Sequence, residues 1–95
     1  MEIKFSAYFS EEINHIISFI EGTNTFDAGE RWFLKFEQFL YKNLSLPEVH
    51  PICNNFVFKK YYLRCLFYND WTIAFKIETD YVLLVSIIHK SNIID

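Results

Sequence analysis

Apolar and polar positions alternate along this chain in two different rhythms, and the rhythm changes near its middle. Ile13, Ile16, Ile17 and Ile20 recur at intervals of three and four, one apolar stripe of an amphipathic helix. Ser6 or Ser10 can cap that helix, Glu11 and Glu12 suit its positive end, and Gly22 offers a stop. A second stripe runs through Ala28, Trp32, Phe36, Phe39, Leu40 and Asn43, with Phe33 alongside and Glu30, Arg31, Lys35, Glu37 and Lys42 opposite. Thr25 or Asp27 would cap this helix, which must end before Pro47, and the short break between the two stripes predicts an antiparallel helical hairpin. His50-Pro51 then keeps the chain extended.

Beyond residue 60 the period shortens to two. Tyr62–Tyr68, Trp71–Ile77 and Tyr81–Ile88 read as strands, and only Asn69-Asp70 and Glu78-Thr-Asp80 separate them, which is hairpin spacing with turn-forming residues. Met1–Phe5 alternates as an opening strand would, and Asn54-Asn55 is a turn signal that makes Phe56-Val-Phe58 a further short strand. Leu63, Cys65 and Phe67, with Trp71, Ile73, Phe75 and Ile77, form the cleaner apolar face and are assigned to the helical hairpin. Tyr62, Arg64, Leu66, Tyr68, Thr72, Ala74 and Lys76 are left for the other face, an aromatic and basic mixture suited to binding. The fold class expected is α+β: an N-terminal strand, an α-helical hairpin and a C-terminal antiparallel β-meander.

Composition narrows the picture. Ninety-five residues without an internal repeat or linker make one domain, 1–95, large enough to bury a core. Half the residues (52%) are hydrophobic and 20% aromatic, more apolar surface than a small monomer easily hides, so a partner or a second copy is expected to cover part of it. The net charge of −3 argues against broad nucleic-acid binding. Charged residues interrupt the chain too often for a membrane span, and its start carries no long apolar run of the secretory type, so the expected location is cytoplasmic. Cys53 and Cys65 lack metal-ligand spacing and read as structural thiols in a reducing compartment. His15 falls on a solvent face and His50 in a loop without a second ligand, so no metal site and no cofactor is implied.

The densest basic group is Lys59, Lys60 and Arg64, interleaved with Tyr61, Tyr62 and Tyr68. A guanidinium can hold a phosphate bidentately and a tyrosine can stack on a base. His89 is the best general acid or base by residue type. Each residue also has a plain structural role open to it: Lys59 and Lys60 solvating a loop, the tyrosines filling strands, Arg64 pairing on the surface and His89 bonded at the edge of the core.

The order of strand, helical hairpin and meander resembles the RelE/ParE superfamily of bacterial type II toxins over nearly the whole chain. Phe5-Ser6 with the first isoleucine stripe, Tyr62-Leu-Arg64, and Val85-Ser-Ile-Ile-His89-Lys90 carry the resemblance. It implies a toxin that inhibits growth through translation, by cleaving mRNA on the ribosome, or through DNA gyrase, and that a cognate antitoxin neutralises. As a ribosome-dependent endoribonuclease, Arg64, His89 and Lys60 would be its catalytic residues, with Lys59, Tyr62, Tyr68 and Lys90 binding substrate. An antitoxin helix or added strand would lie across the hairpin and sheet, touching Phe33 or Phe39, in a homodimer or a toxin–antitoxin hetero-oligomer. Thr72 and Phe75 stand where many members have Arg and Tyr, and the tail 91–95 has no basic residue. The alternative is a non-catalytic, toxin-like interaction module.

Overall fold

A computed structural model describes residues 2–90; the tail 91–95 and Met1 lie outside the described residues. The chain runs β1 (Glu2–Phe5), α1 (Ala7–Thr23), α2 (Ala28–Asn43), a 3₁₀ turn (Pro47–Val49), α3 (Phe56–Lys60), β2 (Arg64–Tyr68), β3 (Trp71–Ile77) and β4 (Tyr81–His89). These elements make an α+β fold, with an N-terminal strand and two helices preceding the C-terminal strands. The sheet order is β1-β4-β3-β2, antiparallel throughout β2-β3-β4, with β1 parallel to β4.

Ser6 caps α1 by accepting a hydrogen bond from the Phe9 N–H (3.0 Å), and the same hydroxyl donates to the Val85 carbonyl (3.1 Å). With the cap at Ser6 the first turn holds no acidic residue, so Glu11 and Glu12 sit farther along than the sequence reading placed them. Helix α1 also runs one residue past Gly22, because Thr23 and Asn24 bond back to the Ile20 carbonyl and terminate the helix themselves. Gly29 at the start of α2 lies against the end of α1, where an added Cβ would come within 2.9 Å of the Ile17 carbonyl oxygen. Phe36, farther along α2, stacks with Phe9 near the start of α1, so the two helices form an antiparallel hairpin.

Ile13, Ile16, Phe36 and Leu40 seal the hairpin against Leu66, Ile73, Phe75, Val82, Leu84 and Ile87 of the sheet, a single main core. Phe33 and Phe39 are half-buried at its margin and pack against it. The expected face of β3 is therefore correct, but that of β2 is inverted: Leu66 and Tyr68 face the helices, while Leu63 and Cys65 face away and Phe67 is exposed. The two-residue turn at 69–70 explains the inversion. It pairs Tyr68 with Trp71, and paired residues share a face, so Leu66 follows Ile73 and Arg64 follows Phe75. Opposite Phe75, β4 carries one extra residue, Val85, between the partners of Ala74 and Phe75. The strand's parity changes there, which places both Leu84 and Ile87 on the helix side.

Two expectations fail on the outer face of the sheet. Phe56-Val-Phe58 is not a strand but the start of α3, because the Asn55 side chain accepts from the Val57 and Phe58 N–H groups and caps a helix. The cysteines are not free thiols: Cys53 and Cys65 form a disulfide. That bond ties the segment 51–63 to β2. Cys53, Phe58, Leu63, Cys65 and Ala74 then form a second, smaller cluster, with Val85 and Ile88 packed against it. The surface expected to stay open for binding is thus partly roofed: Thr72 and Ala74 are buried.

Candidate functional site

A groove of about 660 Å³ lies between α1 and the end of the β3–β4 ladder. Ile16, Phe19 and Ile20 form its helical wall, and Trp71, Ile87 and His89 its sheet wall. The register Trp71↔His89 sets two rings side by side, and they meet edge to face with centroids 5.1 Å apart. Glu12 and His15 stand on the rim, with the His15 imidazole 3.9 Å from the Glu12 carboxylate. Asp70 lines the opposite side; the Lys90 ammonium, just outside the groove, pairs with it (3.0 Å), and the Lys90 N–H donates to the Asp70 carbonyl (2.7 Å). That double tie holds the last residues of β4 against the β2–β3 turn. Phe19 is 72% exposed at the groove's mouth.

An apolar floor bordered by two imidazoles and two carboxylates suits an apolar or aromatic side chain that also carries hydrogen-bonding groups. Among the described residues no group of three His, Cys, Asp or Glu side chains is gathered as metal ligands would be.

The residues singled out from the sequence are not assembled in one place. His89 lines this groove, and Lys90 stands beside it, tied to Asp70. Arg64 lies at the far end of β2, four residues along the ladder and two strands across from His89, about 16 Å away by strand geometry. Its guanidinium donates to the Glu48 and His50 carbonyls (3.3 and 2.5 Å), fastening the loop after α2. His50 joins that fastening: its Nε2 lies 2.6 Å from the Asn43 carbonyl, and its ring meets Phe75 edge-on. Lys59 and Lys60 are exposed on α3 beside the outer face, and Tyr62, 80% exposed, takes a left-handed backbone conformation (φ 57°) as the segment 51–63 turns into β2. Tyr68 is half-buried beneath α2, its ring 4.6 Å from Phe39 and 5.3 Å from Phe36.

Trp71, Asp70, Glu12 and His15 complete the groove, and no sequence motif marks them as site residues. Asp70 and Trp71 were visible as turn and strand start, but only packing brings α1 across to meet them. No protein-family model matches the chain, and no curated protein matches it. In the described residues no helix is long and apolar enough to cross a membrane.

Proposed function

We propose that this chain is the toxin of a bacterial type II toxin–antitoxin module, a RelE/ParE-like cytoplasmic protein that arrests growth and is neutralised by a cognate antitoxin. The observation that carries the reading is the order of elements: a strand, an antiparallel helical hairpin, then an antiparallel meander. The Tyr62-Leu-Arg64 and Val85–Lys90 stretches of the resemblance fall at the entry to β2 and along β4. The exposed apolar residues Phe19 and Leu34 on the helices, and Phe26 in the turn between them, support a protein partner.

Of the two modes of arrest, the scatter of Arg64, Lys60 and His89 favours the one that needs a protein-binding surface and no catalytic constellation, poisoning of DNA gyrase. Nuclease chemistry would need a base, a phosphate clamp and an acid within reach of one phosphodiester. The same scatter favours, as a second reading, a non-catalytic interaction module with no toxic target.

The groove beside α1 is the surface we assign to the target. Induced expression is expected to stop growth. Phe19→Ala together with Trp71→Ala is expected to relieve the arrest, with the variant's folding verified by its unfolding curve. Arrest undiminished in the folded variant would remove the groove from the reading; no arrest by the parent chain would leave the interaction module.

A further inference from the structure

The segment 51–63 is held to the sheet differently from the rest of the molecule. Its helix α3 has five residues, too few to persist without tertiary support. The Cys53 N–H bonds to the Leu63 carbonyl within the segment, and the Cys65 N–H to Pro51 carbonyl bond and the bridge Ile52↔Arg64 join it to the edge of β2. Phe58 and Leu63 are its apolar anchors, and they pack in the second cluster rather than the main core. The Cys53–Cys65 disulfide is the covalent part of this attachment. Neither cysteine belongs to the main core, so the helical hairpin and the inner face of the sheet do not depend on the bond.

The two cysteines are themselves buried, at 2% and 5% exposed, and a groove marks the route to them from outside. Both cysteines line a groove of about 200 Å³, bordered by Pro51, Ile52, Asn54 and Phe67. We propose that Cys53–Cys65 is a reversible thiol–disulfide exchange site that latches the 51–63 arm over the outer face of the sheet. Its reaction partner is a dithiol reductant. One thiolate of the reductant attacks a cysteine sulfur through the groove and forms a mixed disulfide, and the other cysteine leaves as a thiolate and takes up a proton. The reductant's second thiol then displaces the first cysteine. Two electrons and two protons pass to the protein, giving Cys53-SH and Cys65-SH, and the reductant leaves as a disulfide.

Reduction removes the constraint on a loop whose ends lie 12 residues apart, which raises the open population of the arm roughly a hundredfold. Opening uncovers Ala74, Val85 and Ile88 and bares the edge of β2, a surface for strand addition. This inference stands apart from the toxin reading, since it concerns only the arm and its disulfide.

The test is hydrogen exchange on the full chain before and after dithiothreitol, with iodoacetamide and mass spectrometry to count thiols. The expected result is labelling of both cysteines without denaturant. The Cys53 and Leu63 amides should exchange roughly a hundredfold faster, with Phe36 and Ile73 unchanged and protection restored on reoxidation. A Cys53→Ser, Cys65→Ser double variant should match the reduced protein and ignore dithiothreitol. Labelling that requires denaturant, an arm that exchanges no faster when reduced, or loss of protection throughout the core would each overturn the proposal.

Discussion

Ser6 joins three parts of the fold through one hydroxyl, and removing it is a direct test of how the halves are coupled. The oxygen caps α1 by accepting from Phe9 N–H and donates to the carbonyl of Val85, the extra residue where β4 slips against β3. Ser6→Ala removes both bonds. A lost N-cap costs about 1 kcal/mol, and a part-buried carbonyl left without its donor costs about 1 kcal/mol more. The expected destabilisation is therefore about 2 kcal/mol, a large share of the roughly 5–15 kcal/mol that holds a domain together. For a chain of this size that lowers the melting temperature by roughly 10 °C.

Urea unfolding of the oxidised protein, followed by tryptophan fluorescence, reads the loss well. Trp32 stacks on Phe36 in the main core, and Trp71 lies at its edge. The midpoint should fall with the slope unchanged, since the surface exposed on unfolding is nearly the same. Ser6→Thr keeps an acceptor and a donor in place and should recover most of the stability. A loss below about 0.5 kcal/mol for Ser6→Ala, or no recovery with threonine, would refute the double role given to this hydroxyl.

Arg64→Ala is expected to cost about 1–2 kcal/mol, because two carbonyls lose a charged donor at a half-exposed site; urea unfolding checks it, and a loss within error would remove the fastening role. Gly29→Ala should destabilise by about 1–3 kcal/mol, since the new methyl would meet the Ile17 backbone and the Glu21 side chain. Gly22→Ala, with open space around the added carbon, should be neutral or gain roughly 0.5–1 kcal/mol in the same helical segment. Melting curves of these two glycine variants should move in opposite directions or differ by at least this margin.

Much of the fold is legible in the sequence because its elements are long and strictly periodic. The isoleucine stripe, the aromatic stripe of α2 and the two short turns of the meander each correspond to an observed element. The inverted face of β2 was also available: counting back from a two-residue turn puts Leu66 with Ile73, whereas apolarity alone favoured Leu63, Cys65 and Phe67. Helix α3 was hidden by the strand preference of Phe-Val-Phe, and five residues are too few to show a helical period. The Asn55 cap was the available local signal, but it also reads as a turn.

The disulfide has no local signature, since its two cysteines meet only because the arm folds back along β2. Of the groove, His89 was legible by residue type. Trp71, Asp70, His15 and Glu12 come together through the packing of α1 over β4, which no spacing along the chain encodes.

The most direct test of the toxin reading is to follow amino-acid and thymidine incorporation in bacteria as this chain is induced. Growth arrest is expected, with thymidine incorporation falling first, and arrest should survive combined replacement of Arg64, Lys60 and His89 in a folded variant. Early loss of amino-acid incorporation, abolished by those replacements, would instead support the ribosome-directed nuclease. Unchanged growth with both incorporations steady would contradict the toxin reading itself.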